Sequence, residues 1–156
     1  MKKATKATTG QSGRVYRFRR FDKPQTIHYA KAFTELGNGK KETHWMWYIF
    51  PQLKALGFSK KSKYYGMHDI NEAKAFLSHS VFGKRLIDIT NQLMLIEHND
   101  ISKVTNHIDS LKIKSCMTLF SLVDESQEKP FNKVLDKFFG GESCINTLAI
   151  LSSNKK

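Results

Sequence analysis

Two cysteines in 156 residues, Cys116 and Cys144, with no short spacing between them, exclude a disulfide framework and a zinc cage built on close Cys pairs. The six histidines, His28, His44, His68, His79, His98 and His107, are scattered, and none belongs to a His-Glu-X-X-His stretch. No metal site and no cofactor are therefore expected. No apolar run approaches the roughly 18 to 20 residues of a membrane span. The start of the chain, Met1 to Gly13, is basic but lacks the apolar stretch of a secretory signal, so the expected location is a reducing cytoplasm. Ser115 and Ser121 have no nucleophile-elbow motif around them. Neither Gly37/Gly39 nor Gly140/Gly141 leads into the Lys-Ser or Lys-Thr of a phosphate loop. Paired carboxylates of glycosidase type, internal repeats and clean strand-length alternation are likewise missing.

Acidic residues are also scarce: 14 against 26 Lys and Arg, for a net charge of +12. The excess is concentrated at one end. Between Met1 and Lys23 eight basic residues face the single acid Asp22, a net +7, which leaves +5 for all the rest. Such an arm is either a solvated tail or a weak, sequence-independent contact for nucleic acid, with Arg14, Arg17, Arg19 and Arg20 on phosphates. Counterion release would give such binding a steep salt dependence.

What is present is helical periodicity. Residues 1–13 have almost nothing to bury and are expected to be a disordered basic tail, followed by one helical domain over 14–152 and a disordered C-terminus at 153–156. Val15, Phe18 and Phe21 anchor the arm to the body. Asp22 and Pro24 signal a helix start, Ile27, Ala30, Phe33 and Leu36 recur at helical spacing, and Gly37 ends the pattern. Thr43 can cap a short helix through Phe50, which Pro51 stops. Residues 57–63 read as loop. Asp69 with Glu72 forms a capping-box-like start. Ser80 restarts a helix through Ile96, Asp100 caps one to His107, and Asp109 caps the next, with Leu111, Met117, Phe120 and Val123 facing inward. Pro130 and Gly140 bracket another, and Ser143 opens the last, with Ile145, Leu148 and Leu151. The predicted fold is all-α: a compact single-domain bundle of about seven short helices with irregular connections.

The chemistry is concentrated in one stretch, Lys41-Glu42-Thr43-His44-Trp45-Met46-Trp47-Tyr48-Ile49-Phe50-Pro51-Gln52, which holds both tryptophans. An apolar slab with polar groups at both edges is either plain core or the wall of a ligand pocket. On the pocket reading Lys41 binds an anionic group, an indole stacks on a planar base, and Asp109 or Glu42 steadies a positive centre. On the plain reading Lys41 is a solvated loop charge, His44 a hydrogen-bonded core histidine and Asp109 an N-cap.

This stretch resembles the signature of a bacterial family of unknown function, DUF1810, sometimes mislabelled calpastatin. Further segments are similar in register: Arg20-Phe21 with Gln25, Ser62-X-X-Tyr65, Glu72-Ala73 with Phe76-Leu77-X-His79, Gly83-X-Arg85-Leu86, Asp109-X-X-Lys112-X-X-Ser115-X-Met117-Thr118-Leu119-Phe120, and Phe138-X-Gly140-Gly141 with Thr147-Leu148. The resemblance implies a mostly helical single domain of bacteria or their phages, without an established reaction. More distantly the layout resembles that of the NADAR superfamily, which is linked to NAD and ADP-ribose derivatives. That likeness implies hydrolysis of an N-glycosidic bond in a ribonucleotide-like or ADP-ribose-derived ligand, free or attached to a macromolecule. Asp109 would stabilise charge, His44 would act as acid or base, Lys41 and Lys112 would bind phosphate, and Trp45 would stack. Gln25, Gln52, Tyr65 and Thr118 complete the matched ligand-binding set. The alternative is a protein that sequesters a nucleotide, or binds nucleic acid, without cutting it. Cys144 stands where the family usually has Asp, Cys116 where it usually has Ser, and Pro24 where it has a small helix former. If the absent Asp is catalytic, this chain is an impaired enzyme or purely a binder.

Overall fold

A computed structural model of the chain describes Thr8–Thr9 and residues 15–153. The expectations of disorder for the rest of 1–13 and for 154–156 fall outside the described residues, as does Arg14. Within that first stretch, β1 (Thr8–Thr9) pairs antiparallel with β2 (Val15–Tyr16). Apart from that pair of two-residue strands the described residues form eight α-helices, as an all-α fold requires.

Helix α1 (Arg19–Gly37) starts three residues before the expected Asp22, so Pro24 lies inside it. The helix accepts the ring at the loss of one bond, since proline has no N–H for the carbonyl of Arg20. What holds the early start is burial: Phe18 and Phe21 are fully enclosed and meet Phe76 and Phe82 edge-on or tilted. Val15, by contrast, is exposed. The left-handed residue that ends α1 is Gly39 (φ +80°), not Gly37. The N–H groups of Gly39 and Lys40 close onto the carbonyls of Leu36 (2.9 Å) and Glu35 (3.1 Å).

Helix α2 (Met46–Ile49) is a single turn, because Phe50 precedes Pro51 and is driven out of helical geometry (φ −122°, ψ 73°). After a 3₁₀ turn at Lys54–Leu56, α3 (Lys60–Tyr65) occupies part of the expected loop. Ser59 makes that possible by accepting the Ser62 N–H at 3.1 Å. A parallel bridge between Leu53 and Met67 ties the two ends of this excursion together.

Helix α4 (Ile70–Ser78) begins as expected, with Asp69 accepting the Glu72 N–H at 2.8 Å. The Glu72 carboxylate reaches back to the N–H of His68 (2.6 Å) and pairs with Arg20 (3.2 Å). Helix α5 (Phe82–Met94) is opened by His79 rather than Ser80: the imidazole Nδ1 accepts the N–H of Val81 (3.1 Å) and of Phe82 (3.2 Å). The turn between the two helices is tight. A methyl group on Gly83 would overlap the carbonyl of Leu77, which is backbone and has nowhere to go. Gly83→Ala is therefore expected to lower stability by about 2 kcal/mol in urea unfolding, despite alanine's better helix propensity. An unchanged midpoint would mean that the α4–α5 turn can relax.

Asp100 caps only a 3₁₀ turn, Ile101–Lys103. Helix α6 (His107–Ser121) then packs against α4, α7 (Pro130–Phe139) and α8 (Ile145–Ser153), and carries the middle of the core through Ile113, Met117 and Phe120. Three inward assignments fail: Leu111, Ile145 and Leu148 are exposed. Pro130 and Gly140 bracket α7 as expected, Gly140 in the left-handed region (φ +62°). Ser153, expected to lie in the C-terminal tail, is the last residue of α8.

Candidate functional site

One carboxylate sets the geometry of the aromatic stretch. Glu35, in the last turn of α1, is buried, and its oxygens accept four hydrogen bonds. They come from the N–H of Glu42 (2.7 Å), the N–H of Thr43 (3.0 Å), the Thr43 hydroxyl (2.6 Å) and the Trp45 indole (2.9 Å). Burial by itself would raise its pKa. The Thr43 hydroxyl, the two backbone N–H groups and the indole outweigh that and hold it at about 2, against an ordinary 4.5. Thr43 is thus not the cap of α2; its hydroxyl belongs to Glu35.

This arrangement decides which tryptophan faces out. Trp45 is fully buried with its N–H on Glu35, so it offers no ring face to a ligand and its expected stacking role is withdrawn. Trp47, two residues on and so on another side of a one-turn helix, is only half-buried. The ammonium groups of Lys61 and Lys112 lie over its ring, 4.7 Å and 5.2 Å from the centroid.

Lys41 and Asp109 are brought together, as a pair rather than as two independent ligand contacts. Lys41 Nζ lies 3.0 Å from one Asp109 oxygen, both side chains nearly enclosed, and the Lys41 N–H donates to the Val104 carbonyl at 2.8 Å. Lys112 approaches the other Asp109 oxygen at 3.9 Å. Asp109 does not cap α6; Asn106 does, accepting the Asp109 N–H at 2.8 Å, and the Asp109 carboxylate faces the lysines, with the Asn106 amide donating to it at 3.5 Å. Three cations, Lys41, Lys61 and Lys112, thus surround Trp47 and Asp109 with one carboxylate among them.

A hollow of about 140 Å³ opens here, lined by Lys41, His44, Trp47 and Asp109 among others. His44 is exposed at its edge rather than a core histidine. Ile108 borders both this hollow and a much larger groove, about 1030 Å³, whose walls include Gln52, Lys112, Ser115 and Cys144. Of the expected site residues, Lys41, His44, Trp45 and Asp109 therefore meet at the hollow, and Gln52 and Lys112 at the groove.

Three expected residues stand elsewhere. Gln25 is buried, donating to the Tyr48 carbonyl (2.8 Å) and accepting from Arg85 (3.1 Å). Tyr65 packs among Phe21, Tyr48 and Tyr64. Thr118 is fully buried, its hydroxyl donating to the Lys114 carbonyl and accepting the Cys144 N–H, both at 2.8 Å. All three hold helices to one another, and their place in the matched motif is explained by packing.

Cys144 is half-buried at the start of α8 and accepts a hydrogen bond from the Ser115 hydroxyl at 3.3 Å. Burial raises its pKa, but Ser115, Thr147 and the Asn146 N–H together bring it below the ordinary thiol value. Cys116 is wholly buried, and burial pushes its thiol well up.

Sequence reasoning missed Glu35, Lys61 and Trp47 as the outward indole. Only the pairing of two tryptophans two residues apart hinted that one of them had to face away from the core.

The profile of the family described as Protein of unknown function (DUF1810) matches residues 15–151, and the chain belongs to that family. Among solved structures it is similar to the conserved hypothetical protein Rv1873 from Mycobacterium tuberculosis. The two are 35% identical, with a TM-score of 0.82 over 86% of this chain and 95% of that one. No curated protein matches the chain. Among the described residues no helix is long and apolar enough to cross a membrane.

Proposed function

We propose that the chain binds a small anionic ligand with a planar base, of ribonucleotide or ADP-ribose type, over Trp47, and holds it without cleaving it. The observation that carries this reading is the half-buried Trp47 ring under the ammonium groups of Lys61 and Lys112. A base arriving on that ring replaces one ammonium group, and the ligand's phosphates take up the displaced charge. Three cations against one carboxylate give the site the sign such a ligand needs. The Lys41–Asp109 pair argues for retention rather than hydrolysis: a carboxylate already matched by an ammonium group at 3.0 Å has little field left for a cationic sugar.

Hydrolysis at the anomeric carbon is the second reading, and one feature favours it. His44 borders the same hollow as Asp109, where it can move a proton to a leaving base. Contact of the N-terminal arm with nucleic acid is the weaker partner. Arg20 is committed to Glu72, to the carbonyls of Arg17 and Gly66 and to the ring of Phe21, so among the described residues Arg17 and Arg19 are the arginines the arm exposes.

Calorimetry with NAD, ADP-ribose and ADP-ribosylated RNA or protein tests the reading, with chromatography of the mixtures to detect cleavage. One of these is expected to bind and to be recovered intact. Trp47→Ala is expected to weaken it by roughly tenfold or more, on the order of one base stacked on an aromatic ring. Recovery of a cleaved base would establish the second reading. Binding indifferent to Trp47 would dismiss the proposed site.

A further inference from the structure

Five of the ten large apolar side chains that are exposed among the described residues border a single groove: Phe58, Ile108, Leu111, Ile145 and Leu148. Phe58, 95% exposed on the loop before α3, stands at its lip. Such clustering is unusual on a surface that otherwise scatters its apolar groups. The volume, about 1030 Å³, is at the upper end for small-molecule sites. Its charged lining is mostly cationic: Lys112 and Lys114 against Glu142. Lys114 meets Glu142 at 3.6 Å, but Glu142 is 78% exposed, so this pair is solvated and easily exchanged for another anion.

We propose that this groove is a binding site for an amphipathic anion of fatty-acid type, its chain along Ile108, Leu111, Ile145 and Leu148 and its carboxylate at Lys114. An apolar floor with ammonium groups on its wall complements an apolar chain with a negative head. A second copy of the chain is a poorer occupant. A two-fold contact on this face would bring Lys112 and Lys114 of one copy towards those of the other, between molecules that each carry +12. The proposal does not rest on the nucleotide reading, since Lys114, Ile145 and Leu148 take no part in the Trp47 site.

The groove carries its own reporter. Cys144 lines it, whereas Cys116 is sealed in the core. The neutral reagent iodoacetamide should therefore alkylate Cys144 alone, and a Cys144→Ser variant should take up no label. Dodecanoate is the probe. Saturating dodecanoate is expected to slow alkylation at least tenfold, and dodecanol, with the same chain and no charge, is expected to protect only at higher concentration. Ile145→Asp and Leu148→Asp place a carboxylate on the floor at positions already exposed, so they should fold, as circular dichroism will show, and lose the protection. Lys114→Gln should raise the concentration needed for half-protection by several-fold.

Alkylation unaffected by dodecanoate, or protection that survives both aspartate variants, overturns the proposal. So does a dimer in sedimentation that shields Cys144 without ligand and is dissociated by Ile145→Asp, which would assign the face to a second copy. Cosedimentation with phosphatidylglycerol vesicles, in a protein that free dodecanoate fails to protect, would assign it to a membrane surface instead.

Discussion

Replacing Glu35 with glutamine is expected to remove about 3 to 5 kcal/mol of stability in urea unfolding. The side chain keeps its shape but loses its charge, and it now turns an NH₂ group toward donors that had shared the two carboxylate oxygens. Hydrogen bonds to a charged group contribute about 1.5 to 3 kcal/mol each, and a buried donor left without a partner costs about 1 to 3. Several are affected together, so the effect belongs among the large ones. The same carboxylate should give the wild type a pH dependence, with a sign set by its lowered pKa. Its folded pKa, about 2, lies below the ordinary 4.5. The stabilisation is thus complete above pH 4.5 and is lost as the pH falls through 2, because the unfolded chain takes up the proton first. Wild-type stability should fall across that window, and Glu35→Gln should show a shallower fall. A variant within 1 kcal/mol of wild type would mean that the Lys40–Trp45 turn is held by something other than Glu35.

The second large effect is at the nearly enclosed ion pair. Lys41→Met should cost about 3 kcal/mol, because Asp109 then keeps only the distant Lys112 ammonium, 3.9 Å away, and a long hydrogen bond from the Asn106 amide at 3.5 Å. Lys41→Met combined with Asp109→Leu should recover most of that loss, since removing both partners leaves no uncompensated charge. A double-mutant cycle on unfolding free energies should then give a coupling of about 2 kcal/mol. The pair also separates the two functional readings. Asp109→Asn releases Lys41 and raises the local positive charge, so ADP-ribose should bind several-fold more tightly if the site only holds its ligand. If the site hydrolyses the ligand with Asp109 as charge stabiliser, the same change should instead abolish turnover. Additive effects in the cycle would show that the two side chains do not act as a pair.

Local signals decided the elements whose deciding residues lie close together in the chain. Helical class, the bracketing of α7 by Pro130 and Gly140, the start of α4 at Asp69 and the stop at Pro51 all depend on residues within one or two turns of each other. They are local rules, and the chain obeyed them. Where the local signals misled, a distant group had taken over the expected partner. Pro24 did not begin α1, because burial of Phe18 and Phe21 against Phe76 and Phe82 outweighed one missing backbone bond. Thr43 did not cap α2, because Glu35 held its hydroxyl. Ser80 did not open α5, because the ring of His79 occupied that place.

The candidate site divides along the same line. The sequence by itself marked Lys41, His44 and Asp109 as chemically suited to one another and determined that most of the aromatic run between residues 44 and 50 had to be enclosed. It also determined the net positive charge, most of it in the N-terminal arm. Only the tertiary structure decided that Trp47 and not Trp45 faces outward, since that depends on Glu35 reaching the Trp45 indole across the α1–α2 turn. Only it decided that Gln25 and Thr118 are interior ties, and that Leu111, Ile145 and Leu148 line an open groove instead of the core. The physical reason is that periodicity states which residues share a face of a helix, while the packing of α8 against α6 and the 3₁₀ turn before α3 determines whether that face is covered.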